Sequence, residues 1–376
     1  MNYVRVKAIC RKEFLQIKRD PRSLAMAFTL PVILIILFGY ALTLDIDHVP
    51  VVVWDQDNTQ ISRDFILNFR DSRYFNIVGY ADKYSTLQDY IDRRWALMAM
   101  VIPKDFSRYI QSEQPAPIQL LVDGSDSNTA TIAIGYVNSI VGGYNVRYIK
   151  KVLARKGVKY VMPVDWQPRI WFNPDLESRN FIIPGLIAII MMSISALLTS
   201  LTFCREWERG TMEQLISTPV RKGELIMGKF IPYFVIGFID LVIIVAMGQF
   251  MFHVPLRGSL VLLFLLSGVF LSGALALGMF ISIVARNQLM AVQMAILATM
   301  LPAVLLSGFV YAIFNMPVVI QFITHFIPAR YFIVILKGIY LKGVGITVLW
   351  GQVVFLILFS VLMILLANIK FKKRVV

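Results

Sequence analysis

FIIPGLIAIIMMSISALLTSLTF, residues 181–203, runs for 23 residues without an ionisable side chain. A helix needs about 20 apolar residues, at about 1.5 Å each, to cross a bilayer, so this stretch reads as a membrane span. Five further runs qualify: 24–44, 230–252, 259–285, 289–314 and 346–369. Asp240 is the one ionisable residue in all six. A seventh apolar stretch, 318–341, is interrupted by His325, Pro328, Arg330 and Lys337. It reads as half-helices or a re-entrant segment, which is tolerated where protein covers the irregular backbone. Over 376 residues, 57% are apolar and 16% charged; soluble domains sit nearer 45–50% and about 25%.

The net charge of +14 is distributed in a way that sets an orientation. Residues 1–23 hold seven Lys or Arg against two acids, 204–229 hold five against four, and 370–374 hold four with no acid. The long 45–180 segment carries 16 of each sign. The positive-inside rule then puts both termini and the 204–229 segment in the cytoplasm and 45–180 outside. Topology accounts for the basic charge, so no nucleic-acid partner is expected. Cys10 and Cys204 fall on the cytoplasmic side, so no disulfide framework is implied. The first run is too long for a signal-peptide core and holds Pro31 and Gly39, so it reads as an uncleaved anchor.

Residues 3–20 repeat Tyr3, Val6, Cys10, Phe14 and Ile17 at helical spacing, with Arg5, Arg11, Lys12, Lys18 and Arg19 on the other arc. This predicts an amphipathic interfacial helix within 1–23, its cations toward lipid phosphates. The 45–180 segment alternates strand and helix signals. Strands are expected at 49–54, 74–80, 98–102 and 118–122; helices at 61–71, 85–95, in a short piece ending near Glu113, and from 125–127 to about 156. The expected fold class is an α-helical polytopic membrane protein with six transmembrane helices and an α/β extracytoplasmic domain inserted between helices 1 and 2. A basic tail, 370–376, closes the chain.

Most candidate chemistry fails on inspection. His48, His253 and His325 are scattered and share no ligand spacing with Cys. Asp55/Asp57 and Asp123/Asp126 fit turn and cap chemistry, and no metal site is expected. Residues 223–230, GELIMGKF, match G-x-x-x-x-G-K but end in Phe where a phosphate loop needs the Ser or Thr that binds Mg²⁺, and they run straight into a span. This chain is therefore expected to bind no nucleotide itself.

The stretch with the most to say is Cys204-Arg205-Glu206-Trp207-Glu208-Arg209-Gly210-Thr211-Met212-Glu213-Gln214-Leu215, followed by Ile216-Ser217-Thr218-Pro219. Its charges alternate and Trp207 offers an aromatic anchor. Such a segment suits docking into a groove of a soluble partner; an ordinary solvated loop fits equally well. It resembles the coupling segment of ABC-2 type transporter permeases, roughly E-R-E-x-G-T-x-E-Q-L-x-x-T/S-P, and departs from it at Cys204-Arg205. Leu306-Ser307-Gly308-Phe309 with Asn315-Met316-Pro317, Ile327-Pro328-Ala329-Arg330, and Trp171-Phe172-Asn173-Pro174 resemble further signatures of that family. The likeness covers nearly the whole chain and is nearest to bacterial multidrug-type permeases with a large periplasmic domain.

The resemblance implies an inner-membrane exporter subunit for an amphipathic or drug-like substrate, not itself an enzyme. It implies a cytoplasmic ATP-binding cassette ATPase carrying ATP and Mg²⁺, and a second permease subunit. Arg205, Glu206, Trp207, Glu208, Arg209, Gly210, Thr211, Glu213 and Gln214 would couple the two. On that footing, Glu206→Arg is expected to uncouple hydrolysis from transport without blocking insertion. For the outer domain, gating, substrate binding and docking of a periplasmic adaptor all stay open. A membrane-anchored sensor using that domain is the alternative function. Asp240, costly in mid-span, is expected on the translocation path, in an interhelical hydrogen bond or pair, or nearer the surface if the span drifts. Gly268, Ser272, Gly273, Ala276 and Gly278 suggest close helix packing, within the subunit or at a dimer seam.

Overall fold

The computed structural model describes residues 2–41, 47–157, 169, 171–174, 177–285 and 287–371. Residues 42–44 of the expected first span, the 158–168 return from the outer segment and 372–376 of the basic tail lie outside the described residues. The chain divides into two compact units, Leu44–Pro168 and the combination of Met1–Thr43 with Arg169–Val376.

Two helices come first, α1 (Tyr3–Lys18) and α2 (Pro21–Ala41). The α/β unit then runs β1 (Val49–Asp55), α3 (Gln60–Arg70), β2 (Phe75–Tyr80), α4 (Tyr84–Asp92), β3 (Met98–Ile102), α5 (Phe106–Gln111), β4 (Gln119–Val122) and α6 (Ser127–Arg155). The sheet order is β2-β1-β3-β4, with β1 parallel to both neighbours and β4 antiparallel to β3. Side chains alternate across a strand. Val49, Val51, Val53, Met98, Met100 and Ile102 therefore share one face, under Phe65, Phe69, Phe106 and Val137 from α3, α5 and α6. Val52, Ala99 and Val101 share the other with Leu87 of α4. Coverage on both faces explains why these strands read as unbroken apolar runs. The acidic pairs act in turns and caps. Asp55 accepts from the amides of Asp57 and Asn58 (3.1 Å each), and Asp126 caps α6 through Asn128 N (3.1 Å) and Thr129 N (3.3 Å). The Thr129 hydroxyl and amide hold the Asp126 carboxyl below its ordinary range.

The second unit continues with α7 (Ser178–Glu208), α8 (Thr211–Ser217), α9 (Lys222–Phe250), α10 (Leu260–Ala285), α11 (Gln288–Ala295), α12 (Leu301–Leu305), α13 (Val318–Thr324), α14 (Pro328–Lys337) and α15 (Ile346–Lys370). Five helices among the described residues are long and apolar enough to cross a membrane: α7, α9, α10, the Gln288–Leu305 run and α15. Counting α13 and α14, bent by 78°, as one broken span makes six. This six differs from the sequence expectation. The described apolar part of α2 is the shorter Ala27–Ala41, about 22 Å at 1.5 Å per residue, below the ~30 Å hydrocarbon thickness. The 289–314 run also stops early, at Leu305, because Ser307 bonds back to Ala303 O and Gly308 turns to φ +82°. Upstream, Pro302 has no N–H to give the ladder, and the preceding turn, Ile296–Met300, widens to a π-helix.

α7 is the centre of this unit, packed by α2, α9, α10, α11 and α14. Two of the small residues in α10 meet neighbours of the same chain. A Cβ at Gly278 would stand 2.1 Å from Thr199 Oγ1 and 2.3 Å from Ala196 O; one at Gly273 would stand 2.7 Å from Ser360 Oγ of α15. Thr199 also donates to Leu275 O at 3.0 Å, and Ser282 Oγ accepts from the amides of Phe203 (2.9 Å) and Cys204 (3.1 Å). Gly278→Ala is therefore expected to cost about 1–3 kcal/mol by overpacking against backbone, read as a lower melting temperature of the solubilised chain. Gly268→Ala, whose nearest neighbour would be Phe234 at 3.7 Å, serves as the near-neutral control.

Candidate functional site

The stretch singled out in the sequence is a helix end, a sharp break and a short helix. Cys204–Glu208 is not a loop but the last part of α7. Gly210, at φ +68°, breaks the chain direction in a conformation that costs glycine little, and α8 follows at once. Met212 is buried with Phe203, Leu225, Ile226, Met279 and Phe371, and Trp207 and Leu215 pack on the edge. These apolar anchors hold the segment to its own unit.

Glu206 is the main departure from expectation. It is 3% exposed and faces inward. Lys229 Nζ donates to Glu206 Oε1 at 3.2 Å, to Glu13 Oε1 at 2.7 Å and to Thr202 O at 3.5 Å. Lys12 Nζ and the Thr211 hydroxyl also donate to Glu206, and Lys12 lies 3.5 Å from Glu13. The result is a neutral quartet, two lysines and two carboxylates, joining α1, α7 and α9. Lys229 and Glu13 are 1% and 2% exposed. Buried charge at this depth is tolerated because Glu13, Glu206 and Lys229 each face a counter-ion, Glu206 and Lys229 gain a further hydrogen bond from Thr211 and to Thr202 O, and Lys12 reaches solvent.

Flanking pairs extend the join. Arg205 binds Asp20 at 2.8 Å, between α7 and the residue just before α2. Glu224 accepts from Arg221 N (2.9 Å) and from Asn2 N (2.7 Å), fastening the start of α1 to the start of α9. Glu208 accepts from Gln288 N (2.8 Å) at the start of α11. Arg5 donates to Pro219 O.

α1 is thus turned relative to its sequence reading. Val6, Ile9, Glu13 and Ile17 are buried against the unit, whereas Tyr3 is 76% exposed. Lys12 and Arg5 point at carboxylates rather than outward. The phosphate-loop-like stretch is helical within α9: Gly228 allows close approach, since a Cβ there would stand 2.7 Å from Ile9, and its lysine is the centre of the quartet. Glu13 was not picked out from the sequence; Lys12 was read as a cation of the interfacial arc, and Glu224 and Lys229 as part of the rejected phosphate-loop match. Glu13 offered a signal, sitting three to four residues from apolar positions on the helical stripe of α1.

What the segment leaves exposed is narrower than the sequence suggested: Glu208, Arg209, Gly210, Glu213 and Gln214. Between this edge and α1 lies a cavity of about 350 Å³ whose lining includes Gln16, Arg205, Arg209, Thr211 and Gln214. Asp240, 7% exposed in the middle of α9, is the other candidate. Its Oδ1 has no hydrogen-bond partner among the described residues, which removes the expected interhelical bond for that atom.

The profile of a family described as ABC-2 family transporter protein matches residues 21–369. A probable multidrug ABC transporter permease of Escherichia coli, YbhS, is 38% identical over 375 residues, covering 100% of this chain and 98% of the relative. A second E. coli probable multidrug ABC transporter permease, YbhR, is 31% identical over 348 residues, 93% of each chain. ABC transporter G family member 20 of Dictyostelium discoideum is 22% identical over 369 residues, which span 96% of this chain and 49% of that longer protein.

Proposed function

Since the chain belongs to the ABC-2 transporter family, we propose that it is the membrane-spanning permease subunit of an ATP-driven exporter. Its cargo is an amphipathic, drug-like molecule, a class suggested by the names of the two E. coli relatives. A separate cytoplasmic ATP-binding cassette subunit holds ATP and Mg²⁺ and hydrolyses the nucleotide. A second permease subunit, the same or homologous, completes the membrane part. The chain lies in the inner membrane with both termini inside. The α/β unit is then the extracytoplasmic domain, and Asp240 lies on the translocation path.

One observation carries the mechanical reading. The Lys229–Glu206–Glu13 junction ties the segment 206–214 to three helices while leaving Arg209, Glu213 and Gln214 exposed. A push delivered to that exposed edge reaches α1, α7 and α9 together, because a packed ion network has few intermediate arrangements. ATP-driven closure of the partner supplies the push. The first test is purification of the tagged chain from its membrane in mild detergent. A stoichiometric ATPase with a phosphate loop is expected to come with it; reproducible absence beside intact permease overturns the reading.

The exposed edge gives a sharper test. Arg209→Glu with Glu213→Arg is expected to weaken co-purification of the ATPase by about tenfold or more, as loss of desolvated charge pairs at an interface does. The melting temperature of the permease alone should hold, since exposed substitutions usually act within about 0.5 kcal/mol. Retained ATPase with the double variant assigns the docking elsewhere.

A further inference from the structure

α6 carries two adjoining stripes that the transport reading does not use, although Val141 and Tyr144 also pack on the edge of the α/β core. Val141, Tyr144, Tyr148 and Val152, spaced three or four apart, form the first. With Phe65, Phe106 and Ile118 they bound a cavity of about 530 Å³ inside the α/β unit. That volume falls within the ~300–1,000 Å³ of small-molecule sites, which are mostly apolar with a few placed polar groups. The second stripe is Arg147, Lys151 and Arg155, at i, i+4 and i+8, and it lines an adjacent cavity of about 560 Å³. The two cavities share Ile110, Tyr144, Tyr148, Val152, Glu113 and Lys156 as a common edge.

The polar groups along that edge are unequally satisfied. The Tyr148 hydroxyl donates to Ile110 O at 2.6 Å, which fixes the ring as a wall. Lys156 is neutralised by Glu113 at 2.6 Å. Arg147 is steadied by Asn68 Oδ1 at 2.5 Å. Arg147, Lys151 and Arg155 nevertheless have no acidic partner within ion-pair distance among the described residues, and the Tyr144 hydroxyl has no hydrogen-bond partner there. Against Asp64 and Glu113, the four cations of the second cavity leave it net positive. Positive charge beside an aromatic, apolar chamber is complementary to one kind of molecule.

We propose that this paired cavity is a binding site for an amphipathic monoanion. Its apolar body, of medium-chain acyl size, occupies the chamber of Phe65, Phe106, Tyr144 and Tyr148. Its carboxylate or sulfonate meets Arg147, Lys151 and Arg155, and the Tyr144 hydroxyl donates to it. Guanidinium groups suit such oxyanions because they offer forked donors. The site lies wholly within the α/β unit, so it stands whether or not the chain exports its ligand.

Radiolabelled octanoate provides the test. Equilibrium binding is measured on the full chain in nanodiscs, with empty nanodiscs of the same lipid subtracted. Saturable binding near one octanoate per chain is expected. Lys151→Glu with Arg155→Glu should weaken it about tenfold or more, and octanol should compete at least about tenfold less well than octanoate. Val141→Trp, and independently Ala116→Trp on the opposite wall, should abolish binding by filling the chamber. The melting temperature of each variant identifies whichever of the two still folds. Absence of saturable binding, binding unchanged in the charge-reversed variant, equal competition by octanol, or binding retained in a folded Trp variant overturns the site.

Discussion

Lys229→Met is expected to lower the stability of the membrane-spanning unit by about 3–5 kcal/mol, the usual cost of removing one partner from a buried ion pair. Lys229 is 1% exposed and donates to Glu13, Glu206 and Thr202 O. Its loss leaves two buried carboxylates facing Lys12 alone. The methionine itself fits the volume, so the penalty is electrostatic rather than steric. Removing one carboxylate as well should then restore much of the loss. Lys229→Met with Glu13→Gln keeps Lys12 with Glu206 as a neutral pair. Thermal unfolding of the solubilised chain, followed by tryptophan fluorescence, compares the three proteins. A single variant that melts with the parent shows that the quartet contributes nothing.

Glu206→Arg is expected to do more than uncouple. The substitution puts a guanidinium among Lys12, Lys229 and the Thr211 hydroxyl, with Glu13 the one carboxylate remaining in the quartet. The loss should equal or exceed that of Lys229→Met, because a new buried charge replaces a paired one. The chain should still insert, since the apolar runs are untouched. Limited proteolysis should cut between residues 209 and 221 in the variant and spare the parent. ATPase association should fall together with stability. A variant that melts normally, resists protease and fails only to couple would show Glu206 acting on the partner subunit rather than inside the permease.

The sequence made some of this legible and hid the rest for identifiable reasons. In the α/β unit, strand and helix positions emerged within a few residues, because Val49–Val53 is a β-rich run followed by Asp55, Asp57 and Asn58, and Met98–Ile102 an apolar run stopped by Pro103 and Asp105. The membrane helices emerged wherever apolar length alone decided the matter. The broken pair at 318–342 was visible through Pro328. The early end of the 289–314 run was not, since Ser307 and Gly308 are ordinary residues in a span and act here through a back-bond and a positive φ. The 205–214 segment was recognised as a motif, yet Glu206 was placed on its docking edge because alternation of charge says nothing about which side is buried. Its partners explain the difficulty. Glu13 and Lys229 lie 216 positions apart, and no local pattern links them. Lys229 was read as the lysine of a failed phosphate loop, whereas it lies two turns inside α9, buried against Glu13 and Glu206.

α7 has a consequence of scale. Its 31 residues form one continuous rod from Ser178 to Glu208, about 46 Å long at 1.5 Å per residue. The rod begins near Asn173, whose Oδ1 accepts from Asn180 Nδ2 at 2.8 Å, and ends inside the quartet. A stiff rod pivoting near its middle moves both ends by similar amounts in opposite directions. A tilt of about 10° swings each end sideways by about 4 Å, given a half-length of about 23 Å. Small rotations at the Glu206 end therefore carry the far end laterally across the helices it packs on, without any change of secondary structure along the way.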